Sequence, residues 1–191
     1  IIKNDFKWSS DAVFSYNKNN VENINSDTPI ITASGGLNSA IGLIQAGYPV
    51  NVFYGYITDG IFQNQAEVDR HAVQMPGSNS ATSTSPGDIR FKDLNNDGVI
   101  NDKDRTVIGN PNPKFTFSLN NTFNYKNFDL TIFLYGSYGN KAMNYLSRRI
   151  TNPNSSGNVH ASVANHARLG YLDGNSDNTD VWNMYILPGS N

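Results

Sequence analysis

Three stretches of the chain alternate apolar and polar residues with period two over about eleven residues each. From Phe6 to Tyr16 the even positions are Phe6, Trp8, Ser10, Ala12, Phe14 and Tyr16, against Lys7, Ser9, Asp11, Val13 and Ser15. From Phe115 to Tyr125 the odd set is Phe115, Phe117, Leu119, Asn121, Phe123 and Tyr125, and from Phe128 to Tyr138 the even set is Phe128, Leu130, Ile132, Leu134, Gly136 and Tyr138. Successive side chains of a strand point to opposite faces, so each stretch predicts a strand with one apolar and one polar face. A two-residue turn at Lys126 and Asn127 sets Tyr125 opposite Phe128, Phe123 opposite Leu130 and Leu119 opposite Leu134. In that register the two apolar stripes share a face, and a slip of one residue would separate them. The stretch Ile2-Lys3-Asn4-Asp5-Phe6 echoes Tyr125-Lys126-Asn127-Phe128, which predicts a second short turn on the same edge.

Such stripes arise in a soluble β-sandwich, where the apolar face is core, or in a transmembrane barrel, where it meets lipid. Three features favour the barrel. Spanning strands need ~9–11 residues, whereas soluble strands average ~5–6. Aromatic residues sit at the strand ends (Phe6, Trp8, Tyr16, Tyr125, Phe128, Tyr138), where interfacial girdles lie. The connections alternate between the tight turn at 126–127 and the long segments 17–114 and 139–191, as periplasmic turns alternate with external loops.

Composition changes the picture mainly by exclusion. Lys and Arg number 14 against 16 Asp and Glu, so no nucleic-acid footprint is present. The lack of cysteine removes disulfide frameworks and thiolate metal sites. No apolar run reaches the ~18 residues a spanning helix requires. The opening IIKNDFKW has no basic stretch followed by an apolar one, so either a mature chain or a cut through a longer one is expected.

The stretch DLNNDGVINDKD, residues 93–104, has the spacing of an EF-hand calcium loop. Side-chain oxygens fall at places one, three and five (Asp93, Asn95, Asp97), Gly98 at six, the Val99 carbonyl at seven, Asn101 at nine and Asp104 at twelve. Hard cations take oxygen ligands, so this set predicts calcium in a structural role. Asp104 is one methylene shorter than the usual closing Glu. The flanks PGDIRFK and RTVIGNPNPKF carry glycine and proline in place of the paired helices of a sensor. The simpler alternative is an Asx-rich turn whose side chains cap their own backbone.

Other chemistry is sparse. His71, His160 and His166 share no ligand spacing and are expected on surface loops, and no nucleophile-elbow or phosphate-cradling motif occurs, so no enzymatic activity is expected. The FYGY stretch suits a sugar-stacking or packed-loop role. LNSAIGLIQAG fits either a short helix or a buried strand, and 151–180 reads as an external loop.

The runs GYPVNVFYGYITDGIFQ and PGDIRFKDLNNDGVINDKDRTVIGNPNPKFTFSLNNTFNYKNFDLTIFLYGSYGN closely resemble the C-terminal part of SusC/RagA-type TonB-dependent outer-membrane transporters of Bacteroidetes. The resemblance extends from WSSDAVFSYNKNNV to about Asn140. It implies an all-β chain forming part of a large antiparallel transmembrane barrel of about twenty-two strands, with long extracellular loops. It also implies a plug domain and last strands outside residues 1–191. The implied role is nutrient uptake, namely transport of glycans or peptides across the outer membrane. The implied partners are TonB, a SusD-like surface lipoprotein, outer-membrane lipid and the glycan or peptide substrate. With the turn at 126–127 periplasmic, 17–114 and its calcium-type loop, and 139–191, are expected outside the cell. Two alternatives are a soluble surface β-domain, an adhesin or carbohydrate-binding module, stapled by calcium, and a secreted glycan-active enzyme, whose hydrolytic activity is expected to be absent.

Overall fold

The computed structural model describes residues 5–26, 28–33, 40–74, 84–152, 157–177 and 180–188. The three long stripes are strands with the expected bounds: β1 (Phe6–Tyr16), and β8 (Phe115–Tyr125) and β9 (Phe128–Tyr138). They form one antiparallel sheet in the order β1-β8-β9. The β8–β9 register pairs Tyr125 with Phe128, Phe123 with Leu130 and Leu119 with Leu134. β1 lies on the other side of β8, with Phe6 opposite Tyr125 and Tyr16 opposite Phe115. Lys126 enters the two-residue turn with φ +52°, the left-handed conformation that tight hairpins demand. The matching turn expected at Lys3 and Asn4 lies outside the described residues.

Register fixes what each face presents. On the apolar face the cross-strand rows run Tyr16–Phe115–Tyr138, Phe14–Phe117–Gly136, Ala12–Leu119–Leu134, Ser10–Asn121–Ile132, Trp8–Phe123–Leu130 and Phe6–Tyr125–Phe128. Aromatic rows therefore close both ends, around middle rows that hold Ala12, Leu119, Leu134 and Ile132 together with Ser10 and Asn121. Rings touch along these rows, with Phe115 and Tyr138 stacked at 5.0 Å and Trp8 and Phe123 at 6.1 Å. The one carboxamide on this face, Asn121, accepts the Trp8 indole N–H at 3.1 Å. The opposite face carries rows such as Ser9–Thr122–Thr131 and Lys7–Asn124–Asp129. The Phe117 ring lies over Gly136, where an added Cβ would come within 2.4 Å of Phe117 Cζ.

The segment 17–114, expected as one long loop, carries short strands of its own. β2 (Ile30–Ala33), β3 (Ala40–Ile44), β4 (Val52–Gly55) and β7 (Thr106–Gly109) form a sheet in the order β2-β3-β4-β7. Its core is the cross-strand pair Leu43 and Val52, both buried. The open question over LNSAIGLIQAG is answered for residues 40–44, which are strand; residues 37–39 lie outside the described set.

By contact the chain divides into residues 1–54 with 107–142, and residues 55–106 with 143–191. The second unit holds the antiparallel pair β5 (Thr58–Ile61) and β6 (Ile89–Phe91), joined through helix α1 (Gln65–Arg70). Asn64 caps α1 by accepting from the Glu67 N–H at 3.1 Å, satisfying one of the amides a helix start leaves unpaired. Within 139–191, the second segment expected as a loop, the described residues form helix α2 (Tyr145–Ile150), a 3-10 turn at Ala161–Asn165, and the strand pair β10 (Leu169–Tyr171) and β11 (Met184–Ile186). Phe62, Ile100 and Ile186 are buried apolar residues among those described in this second unit. No helix among the described residues is long and apolar enough to cross a membrane, which bears only on helices.

Candidate functional site

The stretch 93–104 lies between β6 and β7 and is shaped by its own short polar side chains. Asp93 accepts from the Asn96 N–H at 2.7 Å through one oxygen and from the Gly98 N–H at 2.9 Å through the other. The Asn95 side-chain oxygen accepts from the Asp97 N–H at 2.9 Å, and Asp97 accepts from the Val99 N–H at 3.0 Å. The Asn95 and Asp97 bonds are Asx turns, in which a side chain accepts from the backbone two residues on, and the Asp93 bonds reach three and five residues along the chain. The chain reverses at Gly98, which takes φ +82°. No Cβ opposes that conformation in glycine.

The reversal is anchored from both sides. Val73 pairs with the loop in a short parallel bridge, donating to the Gly98 carbonyl and accepting from the Ile100 N–H, each at 2.9 Å. Ile100 is buried. Asn101 then begins a 3-10 turn at Asp102–Asp104 with a reciprocal capping box. Its side chain accepts from the Lys103 N–H, and Asp104 reaches back to the Asn101 N–H at 2.8 Å. The other Asp104 oxygen accepts from the Leu94 N–H at 2.9 Å, ten residues back. Asp104 thus ties the two ends of the loop together.

Asp104 is fully buried, at 0% exposure. The N–H of Asn101 holds its carboxyl below the usual carboxylate range against the opposing effect of burial, helped by Leu94, Asn95 and the adjoining Asp93. A lowered folded-state pKa contributes stability above the ordinary carboxylate value. That stability is lost as pH falls through the lowered value.

The structure places the proposed ligands as follows. Asp93, Asn95, Asp97 and Asp104 line one short reversal, linked by the bonds above and by Asn95 Nδ2 to Asp97 Oδ2 at 2.9 Å. The Val99 carbonyl accepts from Asn101 Nδ2 at 3.3 Å. Among the described residues no three His, Cys, Asp or Glu side chains gather as a metal cluster. A carboxylate oxygen that accepts one N–H keeps a second lone pair, so the bonded loop retains oxygens able to face a hard cation.

Neighbouring side chains have packing roles. Tyr56, from the FYGYI run, packs against Phe91 at 5.4 Å with the Arg105 guanidinium 5.9 Å from its ring. Burial raises its phenol pKa, and the nearby Asp102 charge raises it further. This supports a packed-loop role for Tyr56. His71, expected on a surface loop, is half-buried, edge-on to Phe62 at 5.1 Å, and caps the end of α1. Asp88 lies apart from the loop's bonds and accepts from the Ser85 N–H at 2.8 Å. The capping pairs Asn64-x-x-Glu67 and Asn101-x-x-Asp104 were available in the sequence as helix-start signals. The second shares its residues with the calcium-type spacing.

No family model matches the chain. The chain is similar to two curated proteins of Formosa agariphila. It is 33% identical to TonB-dependent receptor P3 over 148 residues, 76% of this chain and 14% of the receptor. It is 30% identical to TonB-dependent receptor P26 over 145 residues, 75% of this chain and again 14% of the receptor. Both similarities support a TonB-dependent receptor.

Proposed function

We propose that the chain is a wall segment of a TonB-dependent outer-membrane transporter of the SusC/RagA type, with the β1-β8-β9 sheet spanning the bilayer. The observation that carries this reading is the apolar face of that sheet. Its end rows are aromatic, its middle rows are Ala12–Leu119–Leu134 and Ser10–Asn121–Ile132, and the face stays open: Phe14 is 67% exposed, Leu134 52% and Phe128 78%. In a water-soluble sandwich this face would be the buried core. Its dimensions suit lipid. Eleven residues extend about 34 Å along a strand, and a tilt of about 45° brings that to about 25 Å, the height of an outer-membrane barrel's apolar band. The similarity to the two receptors supports the same assignment.

In this reading the polar face lines a wet interior, the turn at 126–127 is periplasmic, and 17–114 and 139–191 lie outside the cell. Glycans or peptides are the cargo, TonB supplies the energy through other parts of the receptor, and a SusD-like lipoprotein docks on the outer face. One calcium ion, held by Asp93, Asn95, Asp97, Asp104 and the Val99 carbonyl, with Asn101 assisting, would stiffen the outer loop without signalling. Extracellular sites of this kind bind weakly and are filled by ambient calcium.

Protease treatment of intact cells tests the orientation. Cleavage within 17–114 or 139–191 without permeabilisation is the expected result. Cleavage only after the outer membrane is opened would reverse the topology, and recovery of the protein in the soluble fraction would overturn the membrane reading.

A further inference from the structure

The unit formed by residues 1–54 and 107–142 contains a polar cleft of about 560 Å³, set between the segment after β1 and the segment before β8. Carboxamides dominate its lining, from Asn17, Asn19, Asn20, Asn110 and Asn112. Lys18 and Lys114, both exposed, complete its polar lining, and no carboxylate is part of it.

The walls are held by bonds that leave ligand-binding capacity. Asn19 accepts from the Val50 N–H at 2.9 Å, and Asn112 donates to the Val50 carbonyl at 3.1 Å and to Asn110 at 3.0 Å. These spend one side of each amide on the scaffold. The Asn19 NH₂ and the Asn112 side-chain oxygen have no partner among the described residues. Lys18 and Lys114 form no ion pair among the described residues either. Two uncompensated cations beside a cleft raise the local concentration of anions. Carboxamides donate to and accept from hydroxyls.

We infer that this cleft is a binding subsite for an acidic saccharide, one carrying carboxylate or sulfate groups on a hydroxyl-rich ring. Lys18 and Lys114 meet the anionic groups and the asparagines meet the hydroxyls. The inference deepens the transporter reading and rests on it for the cleft facing the outside; the lining chemistry does not depend on that reading.

The test uses the protein expressed from its complete open reading frame and purified in detergent, with binding followed by calorimetry. The probes are an oligogalacturonide, a neutral cello-oligosaccharide of equal length, and sodium sulfate alone. The expected result is preference for the oligogalacturonide, weakening as salt rises. Lys18→Gln and Lys114→Gln should each reduce its binding about five-fold, and the pair about twenty-fold. Asn19→Asp, which adds a carboxylate to the lining, should weaken it further, and Lys103→Gln in the 3-10 turn should leave it unchanged. Circular dichroism and heat-modified gel mobility confirm that each variant is folded. No binding by the wild type, equal binding of the neutral sugar, sulfate bound as tightly as the oligosaccharide, or an unaffected double lysine variant would each overturn the subsite. Failure of the membrane reading shows separately, as a soluble protein in the cell fractionation.

Discussion

The β1-β8-β9 sheet and the segment 55–106 treat apolar side chains in opposite ways. The sheet carries its longest apolar stripes in the open, where Trp8, Phe14, Leu130 and Phe128 are all more than half exposed. The segment 55–106 has shorter, irregular elements, yet it buries Phe62 completely and Ile100 nearly so. One chain therefore follows the aqueous rule in one region and departs from it in another. Burying a large apolar side chain is worth about 1.5–3 kcal/mol in water, and the proposed lipid contact would take the place of that burial on this face. The opposite face is equally open at Val13, Phe133 and Tyr135, so the contrast rests on which residues the register aligns on each face and not on exposure alone.

The comparison breaks most readily at the centre of the apolar face. If the sheet spans the bilayer as proposed, Leu119→Arg or Leu134→Arg should destabilise the protein in bilayers by about 2–4 kcal/mol, read by urea unfolding, while Ser118→Arg or Thr131→Arg on the other face should cost well under half as much. Equal losses on both faces would remove the distinction. A smaller loss is expected for Gly136→Ala, because the new methyl meets the Phe117 ring. Overpacking of this kind costs about 1–3 kcal/mol, and Gly136→Ala combined with Phe117→Leu should recover part of it.

In the aqueous region the expected effects are smaller and local. Removing calcium with a chelator, or replacing Asp93 with Ala, should speed proteolysis within residues 88–108 and leave the unfolding of the long sheet unchanged. The same cleavage rate with and without chelator would leave the loop as an Asx-rich turn that needs no metal. The smallest change is set for Asn101→Ala, which removes a capping side chain at a cost of about 1 kcal/mol. Hydrogen exchange at Lys103 and Asp104 should detect it.

How much of this was legible in the sequence depended on element length. Eleven residues give five or six repeats of a two-residue period, enough to fix β1, β8 and β9 with their ends and to set the register across Lys126 and Asn127. Strands such as β5, with sequence TDGI, and β6, with IRF, offer two repeats at most. Their pairing depends on chain reversals that no short window contains, so 17–114 read as loop. The site was legible as a spacing of oxygens, and the turn at Gly98 followed from it. The backbone bonds from Leu94 and Asn101 to Asp104 were not legible, because a capping box and a cation loop use the same residues at the same separation. The half-burial of His71 was hidden for a related reason, since its neighbour Phe62 is nine residues away in the connection between β5 and α1.

The most direct test of the proposed lipid-facing sheet is a nitroxide scan of β9 in the protein reconstituted in bilayers. Single labels at 129 to 134 would be compared for collision with oxygen, which concentrates in lipid, and with a water-soluble nickel chelate. The account predicts an alternation of period two, with 130, 132 and 134 favouring oxygen and 129, 131 and 133 favouring nickel. Labels at 130, 132 and 134 that meet nickel as freely as their neighbours, or an alternation of the opposite phase, would contradict it.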